Sequence, residues 1–389
     1  LTTILLTCGE TSGEQHAARL VGEIKRLDPS CAVRALGGDV LERAGADVVF
    51  PLESYAVMGF AEVLSRLPRF HRLERSLRAL LAGGGIDLFL PVDYPGLNLR
   101  LARYARRLGV PVLYFISPQI WAWGAWRLKR MRESIDLMAA ILPFEVDLYR
   151  RAGIPVVFAG HPMLDEIAAP PGPKDAPVGD APFTVLLLPG SRRQVFEKLF
   201  GVFMDAAALL RRRFPSVSFA VALAPLVSDA AARVPEEMRA FVRTTRSGAA
   251  ELTGAALALS TSGTATLQCA LSGTPTVVAY RMSPLTYAIG RSLVRIPWIA
   301  MPNVLAGRPL VPELIQGAAT AERLAAEAAA ILRDGDRYRR ISADLLSLRG
   351  ALDVPGGIGG VARAALAMAA GERGEEIERG FGGGGGASR

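Results

Sequence analysis

The sequence predicts an α/β protein built as two tandem doubly wound, parallel-sheet, Rossmann-like domains facing an interdomain cleft. Short apolar runs alternate with amphipathic stretches from the first residues onward, the rhythm of βαβ units. The rhythm stops in a pattern-free stretch at 168–182 and restarts at 183, which predicts two domains rather than one. A chain of 389 residues, half hydrophobic and 21% charged, has the length and apolar content for two cores.

In the first half the strand-like runs fall at 4–7, 33–36, 86–92, 112–116, 137–142 and 156–159. They are apolar on both alternating faces, as strands covered by helices on both sides must be. Helical patterns at 13–27 and 97–108 lie between them. The Pro-, Gly- and Asp-rich stretch 168–182 reads as an interdomain linker. The second rhythm runs through 183–188, 217–222, 257–259 and 276–280 and finishes in an Ala-rich helix at 320–332. A further helical pattern follows Gly356 and reaches about residue 370, before a charged segment and a Gly-rich tail. The expected domains are therefore 1–167 and 183–345. A helical segment at 346–371 should pack back on the first domain, and 372–389 should form a disordered tail.

Two uncharged runs, 109–126 and 252–280, are long enough to be tested as membrane spans. The first contains Pro111 and Pro118, and the second is rich in Ser and Thr and holds Pro275, so both read as buried strands with short helices. No basic stretch followed by an apolar one opens the sequence, which predicts a cytoplasmic protein. Cys8, Cys31 and Cys269 lie far apart, and His16, His71 and His161 do not complete a ligand set by spacing. Neither a disulfide framework nor a metal site is expected, and no cofactor is.

The net charge is +8, but its placement says more. Residues 60–132 carry thirteen Lys and Arg against Glu62, Glu74, Asp87 and Asp93, a local excess suited to phosphates or an acidic leaflet. Only four of the 45 basic residues are Lys, an Arg bias better explained by GC-rich coding than by nucleic acid binding.

Five polar, Gly-rich loops at strand ends are the candidate site. In residues 9–13 the glycines, Gly13 among them, let backbone approach a ligand, Glu10 adds a carboxylate and Ser12 can cap the next helix. In residues 91–98, Asp93 ends an apolar strand ahead of Pro95 and stands at the carboxyl edge of the sheet, where a general base belongs; the alternative is a cap for the following helix. Ser117 and Trp121 lie in a third loop whose aromatic rings can cover a sugar face or an acyl chain, or fill core. Gly190, Ser191 and Arg192 follow the first strand of the second half, offering amides and a planar cation to a diphosphate. Ser262, Gly263 and Thr264 form a second such anion cradle.

Other patterns fail on context. Asp334-Gly335-Asp336 follows a helix rather than a strand and reads as a turn. Residues 357–362 resemble a dinucleotide fingerprint without the preceding strand, so they read as a helix start. There is no P-loop.

At these residues the chain resembles the lipid-A-disaccharide synthase family, inverting and metal-independent glycosyltransferases of the GT-B type. The resemblance rests on GETSGEQHAARL (9–20), YAVMGFAEVL (55–64), PVDYPGLN (91–98), ISPQIWAW (116–123), LPFE (142–145), GHPMLDE (160–166), LLPGSR (187–192), STSGTATLQCALSGTPTVVAYRM (260–282) and MPNVLAGRPLVPELIQ (301–316), in family order. It implies transfer of 2,3-diacylglucosamine from UDP-2,3-diacylglucosamine to 2,3-diacylglucosamine 1-phosphate, giving a β-1,6 disaccharide 1-phosphate and UDP.

The resemblance makes Asp93 the base and places Asn98 on the acceptor side. It assigns Arg192, Gln268, Tyr280, Arg281, Met282 and Asn303, with the two cradles, to the donor. Gln268 stands where the family usually has Glu, and a neutral amide in place of a carboxylate on a ribose hydroxyl costs about 1 kcal/mol. Val195 and Pro309 also replace residues that are commonly acidic in the family.

Val57, Met58, Phe60, Leu67 and Phe70 among Arg66, Arg69, Arg72, Arg75 and Arg78 suit a helix that dips into an anionic leaflet, here the cytoplasmic face of the inner membrane; the alternative is a helix packed on the sheet. A homo-oligomer is compatible with the sequence. Two further functions remain open at this stage. One is another UDP-sugar GT-B enzyme acting on a lipid-linked acceptor or epimerising the sugar. The other is a non-catalytic protein that binds UDP-sugar or another solute.

Overall fold

The computed structural model describes residues 1–9, 11–51, 60–123, 127–191, 193–224, 227, 233–283, 287, 296–354 and 356–382, excluding the side chains of 11, 12, 60–69, 122, 123 and 382. The chain divides into two compact units, Leu1–Pro162 with Leu352–Arg389, and Met163–Ala351.

The first unit holds parallel strands β1 (Thr3–Thr7), β2 (Ala32–Gly37), β3 (Asp47–Pro51), β4 (Leu88–Pro91), β5 (Leu113–Phe115), β6 (Leu137–Ala140) and β7 (Val156–Phe158). Their order is β3-β2-β1-β4, continued to β5-β6-β7 by the bridges Phe89↔Val112 and Val92↔Phe115. Ile4, Leu5, Leu6, Leu88, Phe89 and Leu90 are wholly buried, as strands covered on both faces must be. The helix Pro95–Arg107 packs Leu97, Leu101 and Ala105, spaced by four, against Leu73, Leu77 and Leu81 of Phe60–Ala82 and against Phe89. Each leucine so buried contributes about 2 kcal/mol.

The second unit contains β8 (Phe183–Leu188), β9 (Val217–Ala222), β10 (Val242–Thr245), β11 (Ala255–Thr261), β12 (Thr276–Tyr280) and β13 (Glu313–Ile315), in the order β10-β9-β8-β11-β12-β13, all parallel. Phe196, Leu199 and Phe203 from the helix Arg193–Arg213, with Leu324, Ala328 and Ile331 from Ala321–Arg333, bury Val185, Leu187, Val221 and Leu259 of the sheet. Among the described residues no helix is long and apolar enough to cross a membrane.

Three features differ from the sequence expectation. The stretch expected to be a linker belongs to the second unit, pinned there by Lys174. Its Nζ donates to the carbonyls of Leu252, Thr253 and Ala255 and to Thr274 Oγ1 at 2.6, 3.2, 2.9 and 2.9 Å, which brings a cation to the carboxyl end of the helix Gly248–Gly254. No break falls at 345/346, because one helix, Gly335–Leu352, runs through it.

The third difference concerns the tail, expected to be disordered from 372. Its residues Gly374–Gly382 form a helix, and Gly374 sits so close to the Asp136 carbonyl that a Cβ there would lie 2.1 Å from the oxygen. Just before it, the helix Gly357–Ala369 packs on Thr11–Leu27. Asp334 caps the helix Gly335–Leu352 through a bond from Arg337 N to its Oδ1 at 2.8 Å, so the turn at Asp334 ends one helix and begins the next.

Candidate active site

In both sheets the strand order reverses once, between β1 and β4 in the first unit and between β8 and β11 in the second. An open α/β sheet binds its ligand at that switch point, outside the carboxyl ends of the strands. Four of the five loops picked out in the sequence stand at these two places.

In the first unit Thr7 pairs with Pro91, so residues 8–9 and 92–93 leave the sheet side by side. Asp93 is half-buried. It and Tyr94 both have left-handed backbone, with φ of 47° and 51°. Tyr94, not Asp93, is the N-cap of the helix Pro95–Arg107 and makes no side-chain cap bond, so Asp93 lies one residue outside the position that a capping role needs. Gly9 has a local reason to be glycine, because a Cβ there would lie 2.0 Å from the Tyr94 ring. Gly13 is buried, yet a Cβ on it would meet no atom of the described residues within 4 Å. The helix Thr11–Leu27 begins two residues before the start that a Ser12 cap would require. Glu10 and the Ser12 side chain lie outside the described residues.

Asn98, expected on the acceptor side, is fully buried and serves the loop instead. Its Oδ1 accepts from Thr7 Oγ1 at 2.8 Å and its Nδ2 donates to the Asp93 carbonyl at 2.7 Å. Ser117 is buried too, with its hydroxyl bonded to Tyr149 and to the Pro118 carbonyl. Trp121 stacks edge-on against Phe144, ring centroids 5.0 Å apart. Both therefore pack on the helix Pro143–Arg151, Trp121 at its first turn and Ser117 through Tyr149 near its end, rather than standing free. There Glu145, which receives Leu142 N at 3.2 Å, is pushed up to about 8 by burial.

Sequence spacing also missed that His16 and His161 come within electrostatic reach of each other. Burial holds both down at about 4. Glu14, from the first motif, receives Gly38 N at 2.9 Å and Val40 N at 3.2 Å, a structural cap for the helix Asp39–Arg43.

In the second unit Leu188 pairs with Ser260, so the loops after β8 and β11 also emerge together. Gly190 (φ 109°) packs its backbone on Val195 and Thr261, which gives Val195 a packing role. Ser191, Gly263 and Thr264 are exposed. Gly263 (φ 141°) is the exposed N-cap of the helix Thr264–Leu271, and a Cβ on it would meet nothing within 4 Å among the described residues. The first amides of a helix are where an anion binds. Gln268 lies one turn along from Thr264 on the same face. Arg192 lies outside the described residues.

Several expected donor groups are already engaged. Ser262 Oγ donates to the Ile299 carbonyl at 2.6 Å. Arg281 Nη2 donates to the Ala319 carbonyl at 2.7 Å, and Met282 N donates to Gln316 Oε1 at 2.8 Å. Tyr280 ends β12, the next strand along, and is half-buried.

Asn303, expected at the donor, is the most fully engaged. It is wholly buried, accepts from Leu310 N and Val311 N at 2.7 and 2.9 Å, and donates to the Val311 carbonyl and Glu313 Oε1 at 2.9 and 2.8 Å. All four of its hydrogen-bonding positions are filled, so it braces a loop and has none left for a ligand. Glu313, which no sequence signal marked, also receives Ala300 N at 2.9 Å and Ile299 N at 3.0 Å, fixing the carbonyl that Ser262 uses.

Part of the basic zone lies away from these loops. Arg103, Arg106, Arg107 and Arg132 line a groove of about 470 Å³ at the amino ends of the strands, where they complement helix carboxyl ends. Val57 and Met58 lie outside the described residues, as do the side chains of Phe60 and Leu67; Phe70 is half-buried on the helix Phe60–Ala82.

Two parallel sheets, each with its polar loops at a switch point, define a GT-B fold. Solved structures agree. A UDP-GlcNAc 2-epimerase from Neisseria meningitidis bound to UDP-GlcNAc superposes with a TM-score of 0.63 at 13% identity, over 95% of this chain and 100% of the other. The glycotransferase of kitacinnamycin gives a TM-score of 0.60 at 17% identity, over 94% and 98%. Residues 4–351 match the family described as lipid-A-disaccharide synthetase. Lipid-A-disaccharide synthases from Syntrophus aciditrophicus (40% identical over 364 residues, 91% of this chain and 94% of the relative) and Geobacter metallireducens (38% over 354 residues, 89% and 92%) are among its relatives. The chain belongs to the lipid-A-disaccharide synthase family.

Proposed function

We propose that this enzyme moves 2,3-diacylglucosamine from its UDP derivative onto 2,3-diacylglucosamine 1-phosphate, forming the β-1,6 disaccharide 1-phosphate and releasing UDP. The observation that carries the chemistry is Asp93, held in left-handed backbone at the switch point of the first sheet, one residue outside the cap position. Its carboxylate takes the proton from the acceptor hydroxyl as that oxygen attacks the anomeric carbon. The bond from that carbon to the diphosphate breaks with inversion, and UDP leaves with the electron pair. The cradle at Gly190, Ser191, Gly263 and Thr264, with Arg192, stabilises the charge that develops on the diphosphate. Gln268 serves the ribose.

The membrane part of the proposal rests on the apolar and basic pattern at 57–70: this segment rests on the anionic surface that carries the acylated substrates.

The test is incubation with UDP-diacylglucosamine and diacylglucosamine 1-phosphate, with the product read by mass spectrometry. A disaccharide 1-phosphate is expected. Folded, UDP-binding protein that yields none, or that epimerises the donor instead, would refute the reading.

A further inference from the structure

We infer that Tyr114, together with Asn98, is a positioning residue that clamps the Asp93 carbonyl and so fixes where the carboxylate points. The inference rests on the assignment of Asp93 as the base. Two successive non-glycine residues in left-handed backbone are held against their own preference, the more so because one of them is the bulky Tyr94. Something outside the loop must hold them. The Asp93 carbonyl accepts from Tyr114 Oη at 2.6 Å and from Asn98 Nδ2 at 2.7 Å, while Asp93 N donates to the Phe115 carbonyl at 3.0 Å. Asn98 is itself oriented by the Thr7 hydroxyl. β5 thus holds the peptide before Asp93, and Tyr114 of β5 and Asn98, oriented from β1, converge on the peptide after it.

Rotation of that peptide to the ordinary extended form would turn the carbonyl away from both donors and carry the carboxylate with it. Tyr114 is wholly buried in an apolar strand, where phenylalanine would fill the same space without a hydroxyl to satisfy. Burial, with the Asp93 charge nearby, raises the phenol well above its usual range, so it remains a donor wherever the enzyme works. A base must meet its proton within hydrogen-bond reach, and a displacement of about 1 Å can slow the chemical step roughly a hundredfold.

The test is Tyr114→Phe in the full-length chain, assayed for transfer, for UDP binding and for thermal unfolding. The Asp93 carbonyl keeps Asn98, so the variant should fold and bind UDP with unchanged affinity. Its kcat should fall about tenfold to a hundredfold while KM for both substrates stays within about twofold. Because Tyr114 acts through Asp93, adding Tyr114→Phe to Asp93→Asn should slow the residual reaction no further. Near-normal kcat in Tyr114→Phe beside an inactive Asp93→Asn would overturn this inference alone, and so would an equal further loss in the double variant. Full activity of Asp93→Asn would overturn the base assignment and this inference with it.

Discussion

The protein should be most stable near pH 6.5 and lose stability on both sides. Burial is the first cause of the lowered values of about 4 at His16 and His161, with the charge of Arg19 acting on His16 and that of His16 on His161. Burial likewise raises Glu145 to about 8, partly offset by Ser117, the Leu142 amide and Trp121. In the unfolded chain the same groups titrate near 6.5 and 4.5. Between pH 6.5 and 4.5 the unfolded chain therefore gains about two protons that the folded histidines refuse, while folded Glu145 holds one that the unfolded chain lacks.

The net of about one proton means that stability falls by about 1.4 kcal/mol for each unit of acidification. Between pH 6.5 and 8 folded Glu145 holds a proton that the unfolded chain lacks, while the unfolded histidines shed what remains of theirs, so stability falls by roughly 0.5 to 1 kcal/mol for each unit of rise. The loss reaches about 2 kcal/mol over the acid limb and about 1 kcal/mol over the alkaline one, an appreciable part of a stability that is usually about 5 to 15 kcal/mol. The assay is Tm against pH from 4.5 to 8 at constant ionic strength. Glu145→Gln should abolish the alkaline limb and steepen the acid limb to about 2.7 kcal/mol per unit. A level Tm across the range, or an alkaline limb unchanged by Glu145→Gln, would refute the reasoning.

Asp93→Asn should lower kcat on the order of a thousandfold with UDP affinity retained, measured by turnover and calorimetry. Arg192→Ala should cost about 2 to 4 kcal/mol in kcat/KM, and Lys should rescue only part of it because the planar fork is lost. Lys174→Met should cost about 2 to 4 kcal/mol in urea unfolding, since three carbonyls and Thr274 lose a charged donor. Asn303→Ala should cost about 3 kcal/mol of stability by orphaning the Leu310 and Val311 amides, with the UDP affinity of the folded fraction unchanged; an affinity loss at constant Tm would return Asn303 to the donor site.

The interior of both sheets was legible because central strands are apolar on both faces, and β1, β4, β8 and β11 read as unbroken runs. The strands that escaped were β3, β10 and β13, all edge strands, whose sequences DVVFP, VRTT and ELI are each only partly covered. The site's place was legible because a polar, Gly-rich turn after an apolar strand has few structural uses. The jobs of its amides were not. Asn98 and Asn303 look like ligand residues in the sequence, but their partners, backbone groups together with Thr7 and Glu313, fall in place only when the fold is closed. Tyr114 reads as core because nothing in an apolar run announces a hydroxyl bond to a carbonyl 21 residues earlier. His16 and His161 meet across 145 positions, beyond any local pattern.

The first unit is made of two pieces of chain, and this sets an order on synthesis. Its last part, the helix Gly357–Ala369 that packs on Thr11–Leu27, is translated only after the whole of the second unit. At about 5 to 20 residues per second, the intervening stretch of roughly 190 residues keeps the first unit waiting for about 10 to 40 seconds. The second unit, continuous in sequence, can close during that interval. The Asp93 sheet must meanwhile stand with the surface of Thr11–Leu27 uncovered, exposed to chaperones and proteases, until the carboxyl-terminal helices leave the ribosome. Nonsense changes beyond residue 351 should therefore spare the second unit and leave the first one open, so the short final segment weighs far more on the yield of folded protein than its length suggests.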